Sequence, residues 1–142
     1  MSAYTIDASV LTNALNSREQ GSEESRKFLA QVEQENCEIV CPTLLIPEMA
    51  AALSRALDDH KRGMAFAMAV RDLPNLILVP LDDSLAVAAA ELAARYRLRG
   101  ADAVYAAVAK YHPATLVTND RQQLERLSGV LPVMRPAQAL AE

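Results

Sequence analysis

The chain has 142 residues, 51% of them hydrophobic, enough to bury one core, and a single domain over 1–142 is expected. Ala and Leu dominate, aromatic residues make up 4%, Trp is absent and Gly is scarce, which favours a helix-rich fold over an all-β one. A net charge of -4 argues against a broad cationic face that coats duplex nucleic acid.

The charge is unevenly spread. Residues 1–60 carry four basic and ten acidic side chains, whereas residues 61–142 carry ten basic and eight acidic ones, leaving room for local phosphate contacts in the second part. No apolar run is long enough to cross a bilayer, and Met1-Ser2-Ala3-Tyr4 lacks the basic start and apolar middle of a signal peptide. A cytoplasmic protein with no membrane association is expected.

Tyr4-Thr5-Ile6 reads as a short strand, with Asp7 at its end and Ser9 before a helix marked by Val10, Leu11, Ala14 and Leu15. Helix capping is the simplest role for Asp7 and Ser9. Residues 16–21 form a polar loop, and Ser22 is placed to cap a helix with Phe28, Leu29 and Val32 on its buried side. Cys37 and Cys41 frame a second strand, Ile39-Val40-Cys41, closed by Pro42. Neither His60 nor His112 has finger-like spacing to them, so buried reduced thiols are expected rather than zinc. Thr43 is placed to cap the next helix, with Pro47 in its first turn, where a missing N–H costs little. Glu48 is the sole acid between Pro42 and Leu57.

Asp58, Asp59, Lys61 and Arg62 read as a charged break before a stripe of Met64, Ala65, Met68 and Ala69. Leu76-Ile77-Leu78-Val79 is a continuous apolar run, as expected of a parallel strand covered on both faces. Asp82 and Asp83 then cap a helix from Ser84 to about Tyr96. From Ala101 to Ala109 the only charged residue is Asp102, in the first turn of an Ala- and Val-rich helix, where an ionised acid needs compensation. Arg95, Arg97 and Arg99 alternate just before it, either as surface arginines or as a rim holding phosphate, with Arg97 and Arg99 the candidate contacts. Thr115-Leu116-Val117 is a strand ending in Thr118-Asn119-Asp120. Leu124 and Leu127 mark a short helix, Leu131-Pro132-Val133-Met134 a final edge strand, and Pro136 opens a terminal helix. This alternation predicts an α/β sandwich with a short, mainly parallel sheet flanked by helices.

Asp7 and Asp120 fall at strand ends, Glu48 and Asp102 in first turns of helices. With parallel strands these four positions can converge on one edge of the sheet. Carboxylates that close raise one another's pKa and call for a cation. Oxygen donors, helped by Ser9, Thr118 and Asn119, suit Mg²⁺ or Mn²⁺ better than zinc. Such a site can activate water against a phosphodiester.

Asp7-Ala8-Ser9, Pro47-Glu48, Leu98-Arg99-Gly100-Ala101-Asp102-Ala103 and Thr118-Asn119-Asp120 occur in the order and approximate spacing of PIN-domain ribonucleases, and the chain most resembles the VapC toxins of toxin-antitoxin pairs. The likeness covers nearly the full chain. It implies a PIN-like three-layer sandwich and a metal-dependent endoribonuclease. Asp7, Glu48, Asp102 and Asp120 would serve as catalytic and metal-binding residues, with Ser9 and Thr118 assisting by hydrogen bonding. It further implies an RNA substrate, often a transfer or ribosomal RNA, a homodimer, and a cognate antitoxin that blocks the site. Some relatives carry another acid after the Thr-x-Asp unit. Here Arg121, Gln122 and Gln123 follow, so the resemblance leaves one or two ions open.

Other readings compete. A haloacid-dehalogenase-like phosphatase needs an acid where Ser9 stands, and a receiver domain needs a late Lys in the sheet, where Lys110 is helical. A PIN-like binding or regulatory subunit, its carboxylates serving only as caps, is the main alternative, followed by a housekeeping ribonuclease.

Overall fold

Five parallel strands, in the order β3-β2-β1-β4-β5, form the centre of a computed structural model that describes residues 2–140. They are β1 (Ala3–Ile6), β2 (Glu38–Pro42), β3 (Leu76–Val79), β4 (Thr115–Val117) and β5 (Val133–Met134). Eight helices among the described residues flank them: α1 (Ala8–Leu15), α2 (Ser22–Gln34), α3 (Leu45–Leu57), α4 (His60–Arg71), α5 (Asp83–Tyr96), α6 (Gly100–Tyr111), α7 (Arg121–Leu127) and α8 (Pro136–Leu140). This is the helix-flanked α/β sandwich expected from the sequence, with every strand pair parallel. None of the described helices is long and apolar enough to cross a membrane.

The order places β1 beside both β2 and β4, so the chain reverses its direction of growth across the sheet between β1 and β4. Their register pairs Ile6 with Val117, and the Asp7 amide extends the ladder by donating to the Val117 carbonyl at 3.0 Å. Asp7 and Thr118 therefore leave the sheet side by side. Helix α6 lies across β1, β2 and β4 and against α5. Small Ala and Val side chains allow this, and all residues from Ala103 to Ala109 are buried.

Several local expectations are corrected. The Leu76–Val79 strand lies at the sheet edge rather than covered on both faces, and Ile77 is 48% exposed. A continuous apolar run does not distinguish an inner strand from an edge. Ser22 is the first helical residue, not the cap. Gly21, at φ +83°, holds the cap position, and the buried Ser22 hydroxyl donates to the Ala14 carbonyl. Thr43 does not cap α3 either, because its amide extends the β2–β3 ladder to the Val79 carbonyl and Leu44 takes the cap position. The charged break is confined to Asp58 and Asp59. Asp59 caps α4 through the amides of Lys61 and Arg62, which are helical. Asp82 caps α5 alone, and Asp83 is already helical. Pro132 stays outside β5 and accepts through its carbonyl from the Leu116 amide.

Candidate active site

The carboxyl ends of β1 and β4 meet at the topological reversal, the place where an open parallel sheet leaves a crevice. Asp7 follows β1, and Thr118-Asn119-Asp120 follows β4. Glu48 enters from the first turn of α3 and Asp102 from the first turn of α6. All four carboxylates line one cavity of about 460 Å³, together with Ser9, Arg55 and Arg99. The convergence expected from the sequence is present.

Hydrogen bonds show that most of these acids are not caps. Asp7 occupies the N-cap position of α1 without capping it. Its Oδ2 instead accepts from the Ser9 hydroxyl at 2.8 Å, the Thr118 hydroxyl at 2.9 Å and the Gln123 amide at 3.2 Å. Asp7 is only 7% exposed and these three donors satisfy its Oδ2, whereas Oδ1 has no partner among the described residues. Asp102 accepts from Gln123 through Oδ1 at 3.2 Å and from Arg99 Nε through Oδ2 at 2.8 Å. Asp120 does cap, accepting through Oδ1 from the amides of Gln122 and Gln123, while its Oδ2 accepts from Arg99 Nη2. Thr118 Oγ1 also accepts from the Asp120 amide, and Ser9 Oγ from the Asn119 amide at 3.4 Å. Asn119 points its own side chain away, donating to Ser25 Oγ at 3.5 Å.

The electrostatics follow from this crowding. Burial pushes the Glu48 carboxyl above the usual carboxylate range, the neighbouring Tyr105 hydroxyl opposes that, and the charges of Asp7 and Asp102 add to it. Glu48 Oε1 and the Tyr105 hydroxyl are both buried, and neither closes a hydrogen bond of normal geometry. Burial likewise raises Asp102, with Arg99 opposing and Asp7 and Asp120 reinforcing. Tyr105 is held neutral by burial beside Glu48.

The donor set fits a hard divalent cation: carboxylate oxygens converge, Asp7 Oδ1 and Glu48 Oε1 are uncommitted, and like charges oppose ionisation. Among the described residues no three carboxylate, His or Cys side chains close into a ready ion-holding group. Nitrogen donors from Arg99 and Gln123 stand between them instead. Cys37 and Cys41 are buried free thiols as expected, and burial pushes Cys41 up to about 12.

Three residues of the site escape a reading of the sequence. Gln123 looks like a surface glutamine, yet it is fully buried; its one signal is its place four residues before Leu127 on the inward face of α7. Tyr105 looks like core, and Arg55 like an ordinary last-turn cation. Arg97 is not brought to the cavity. It ends α5 with a left-handed backbone at φ +56°, and its carbonyl accepts from Arg126.

The PIN domain family profile matches residues 4–130. Similar solved structures include the sarcin-ricin loop cleaving toxin VapC20 of Mycobacterium tuberculosis, with 16% identity, 87% of this chain and 94% of that one covered, and a TM-score of 0.74. A toxin-antitoxin complex from Klebsiella pneumoniae shares 17% identity over 96% of this chain and 98% of that one, with a TM-score of 0.68. PAE2754 from Pyrobaculum aerophilum shares 23% over 99% and 97%, with a TM-score of 0.65. No curated protein is similar enough in sequence to count as a match.

Proposed function

The chain belongs to the PIN domain family, and on that premise we propose that it is a metal-dependent endoribonuclease hydrolysing RNA phosphodiester bonds. The observation that carries this reading is that Asp7, Glu48 and Asp102 converge on one cavity without capping their helices. A family of caps would have spent these carboxylates on backbone amides, as Asp120 alone does in part.

Asp7, Glu48, Asp102 and Asp120 are the residues that would hold one or two Mg²⁺ or Mn²⁺ ions. When bound, such an ion lowers the pKa of water and offsets charge on the phosphodiester. Ser9, Thr118 and Gln123 hold Asp7 through its Oδ2, which leaves Oδ1 without a partner among the described residues. Glu48, whose Oε1 closes no hydrogen bond of normal geometry, lines the same cavity and would supply a further oxygen to the ion. The Arg55 guanidinium has no ion-pair or hydrogen-bond partner among the described residues and lines the cavity, which leaves it available to a phosphate.

Likeness to toxin structures supports the toxin of a toxin-antitoxin module acting on a transfer or ribosomal RNA. An apolar groove of about 580 Å³, lined by Leu11, Leu15, Leu29, Phe66, Val70 and Leu73, supports an antitoxin partner with an apolar segment. A homodimer is the assembly expected, with the exposed edge residue Ile77 available to it.

The test is incubation of purified protein with mixed total and transfer RNA in Mn²⁺, Mg²⁺ or EDTA, beside Asp7→Ala. Discrete fragments that need the metal and vanish in the variant are expected. Absence of fragments, combined with no Mn²⁺ binding by the folded protein, would replace this reading with a PIN-like binding subunit.

A further inference from the structure

Arg99 is the one cation that touches the acidic cluster among the described residues, and it does so in an unusual way. It sits at the N-cap position of α6 without capping it, and its guanidinium folds over the first turn. Nε donates to Asp102 Oδ2 at 2.8 Å while Nη2 donates to Asp120 Oδ2, so one fork spans two different acids. The two acids are enclosed, at 13% and 19% side-chain exposure, but the arginine itself is 67% exposed. Nothing walls it in. At the inner side of the same cluster, Glu48 and the fully buried Tyr105 hydroxyl lie side by side without closing a hydrogen bond of normal geometry.

We propose that Arg99 is an exchangeable internal counter-ion that holds the place of a divalent cation between Asp102 and Asp120 and is displaced when the cation enters. This rests on the divalent-cation reading of the same site. Crowded carboxylates need positive charge in either state. With metal absent, a planar guanidinium with five donors supplies it across two acids. A divalent ion that draws on Asp102 and Asp120 competes for the same two Oδ2 atoms. The arginine, tethered by its stem at the N-terminus of α6, can swing into solvent without moving the backbone. Arg99 therefore lowers the apparent affinity for metal while stabilising the metal-free protein.

Calorimetric titration of Mn²⁺ into the wild type, Arg99→Gln and Asp102→Asn at neutral pH, with melting curves in EDTA and in Mn²⁺, tests this. Arg99→Gln is expected to bind Mn²⁺ roughly three- to tenfold more tightly, the range of one to two partly exposed ion pairs. It should also melt lower than wild type in EDTA, with the gap closing in Mn²⁺. Asp102→Asn should bind more weakly. Equal or weaker binding by Arg99→Gln, with wild-type binding intact and lost in Asp102→Asn, overturns the exchange while leaving the metal site standing. No Mn²⁺ binding by any of the three proteins overturns both.

Discussion

The side-chain amide of Gln123 donates to Asp7 Oδ2 and to Asp102 Oδ1, each at 3.2 Å, and so ties the acid at the end of β1 to the acid at the start of α6. It also lies 3.3 Å from Thr118 Oγ1, while its own Oε1 is buried and unpartnered. An amide here is both a donor for two carboxylates and a cost, since an unmade hydrogen bond persists on its oxygen. A neutral donor thus holds two acids of the cluster together.

Gln123→Glu keeps the shape and replaces the donor with a third negative group beside Asp7 and Asp102. The metal-free variant is expected to lose about 1–3 kcal/mol of stability, and saturating Mn²⁺ to recover much of it. Denaturant unfolding in EDTA and in Mn²⁺ measures both. An equal loss under the two conditions would mean that Gln123 is ordinary packing.

The raised Glu48 carboxyl sets a pH dependence. Between its unfolded value and its higher folded one, the native state binds more protons than the unfolded state, so this group's contribution to stability falls as pH rises through that window. In EDTA, Glu48→Gln should therefore gain stability relative to wild type at neutral pH, and the gain should vanish on acidification below the ordinary Glu range. Melting curves of the two proteins from acid to neutral pH check this. A gain of constant size across the series would remove Glu48 ionisation as its cause.

The Arg55 guanidinium lines the cavity without a partner among the described residues, whereas Arg97 ends α5 outside it. If cleavage is confirmed, Arg55→Ala should raise KM for RNA with little change in kcat. It should also reduce the salt slope of RNA binding by about 0.7, the share of one phosphate contact to a single strand. Arg97→Ala should leave both unchanged. The reverse pattern would move the phosphate contact to the helix end.

Much of this site was legible because strand ends and first turns are marked in the sequence by apolar runs interrupted by one acid. Asp7 after Tyr4-Thr5-Ile6, and Asp120 after Thr115-Leu116-Val117, needed only the inference that the strands run parallel. Ser9 and Thr118 both donate to Asp7 Oδ2. Gln123 was hidden because a glutamine in a polar stretch carries no apolar signal, and its burial is decided by where α7 lands rather than by α7 itself. The sequence offers Arg99 either as a surface arginine or as a rim for phosphate, and its pairing with Asp120, distant in sequence, depends on tertiary structure. The edge position of Leu76–Val79 was equally invisible, since strand order leaves no trace in the strand's own residues.

Helix α3 presents Glu48, and its distance from α4 is set by one missing side chain. A Cβ on Gly63 would stand 2.2 Å from Ser54 Oγ, 2.7 Å from Ser54 N and 2.9 Å from Ser54 Cα. The hydroxyl could rotate away, but the backbone atoms could not, so Gly63→Ala must push the helices apart. Overpacking of this kind costs about 1–3 kcal/mol, against which the better helix propensity of Ala returns about 1. Net destabilisation is expected, read as a lower urea midpoint with an unchanged m value. Gly100→Ala is the control: nothing lies within 4 Å of the added Cβ, and Gly100 opens α6, so stability should hold or rise slightly. Because α3 carries Glu48 toward Asp7 and Asp102, Gly63→Ala should also weaken Mn²⁺ binding, and Gly100→Ala should not. Wild-type stability in Gly63→Ala would show that the two helices can re-pack without moving the site.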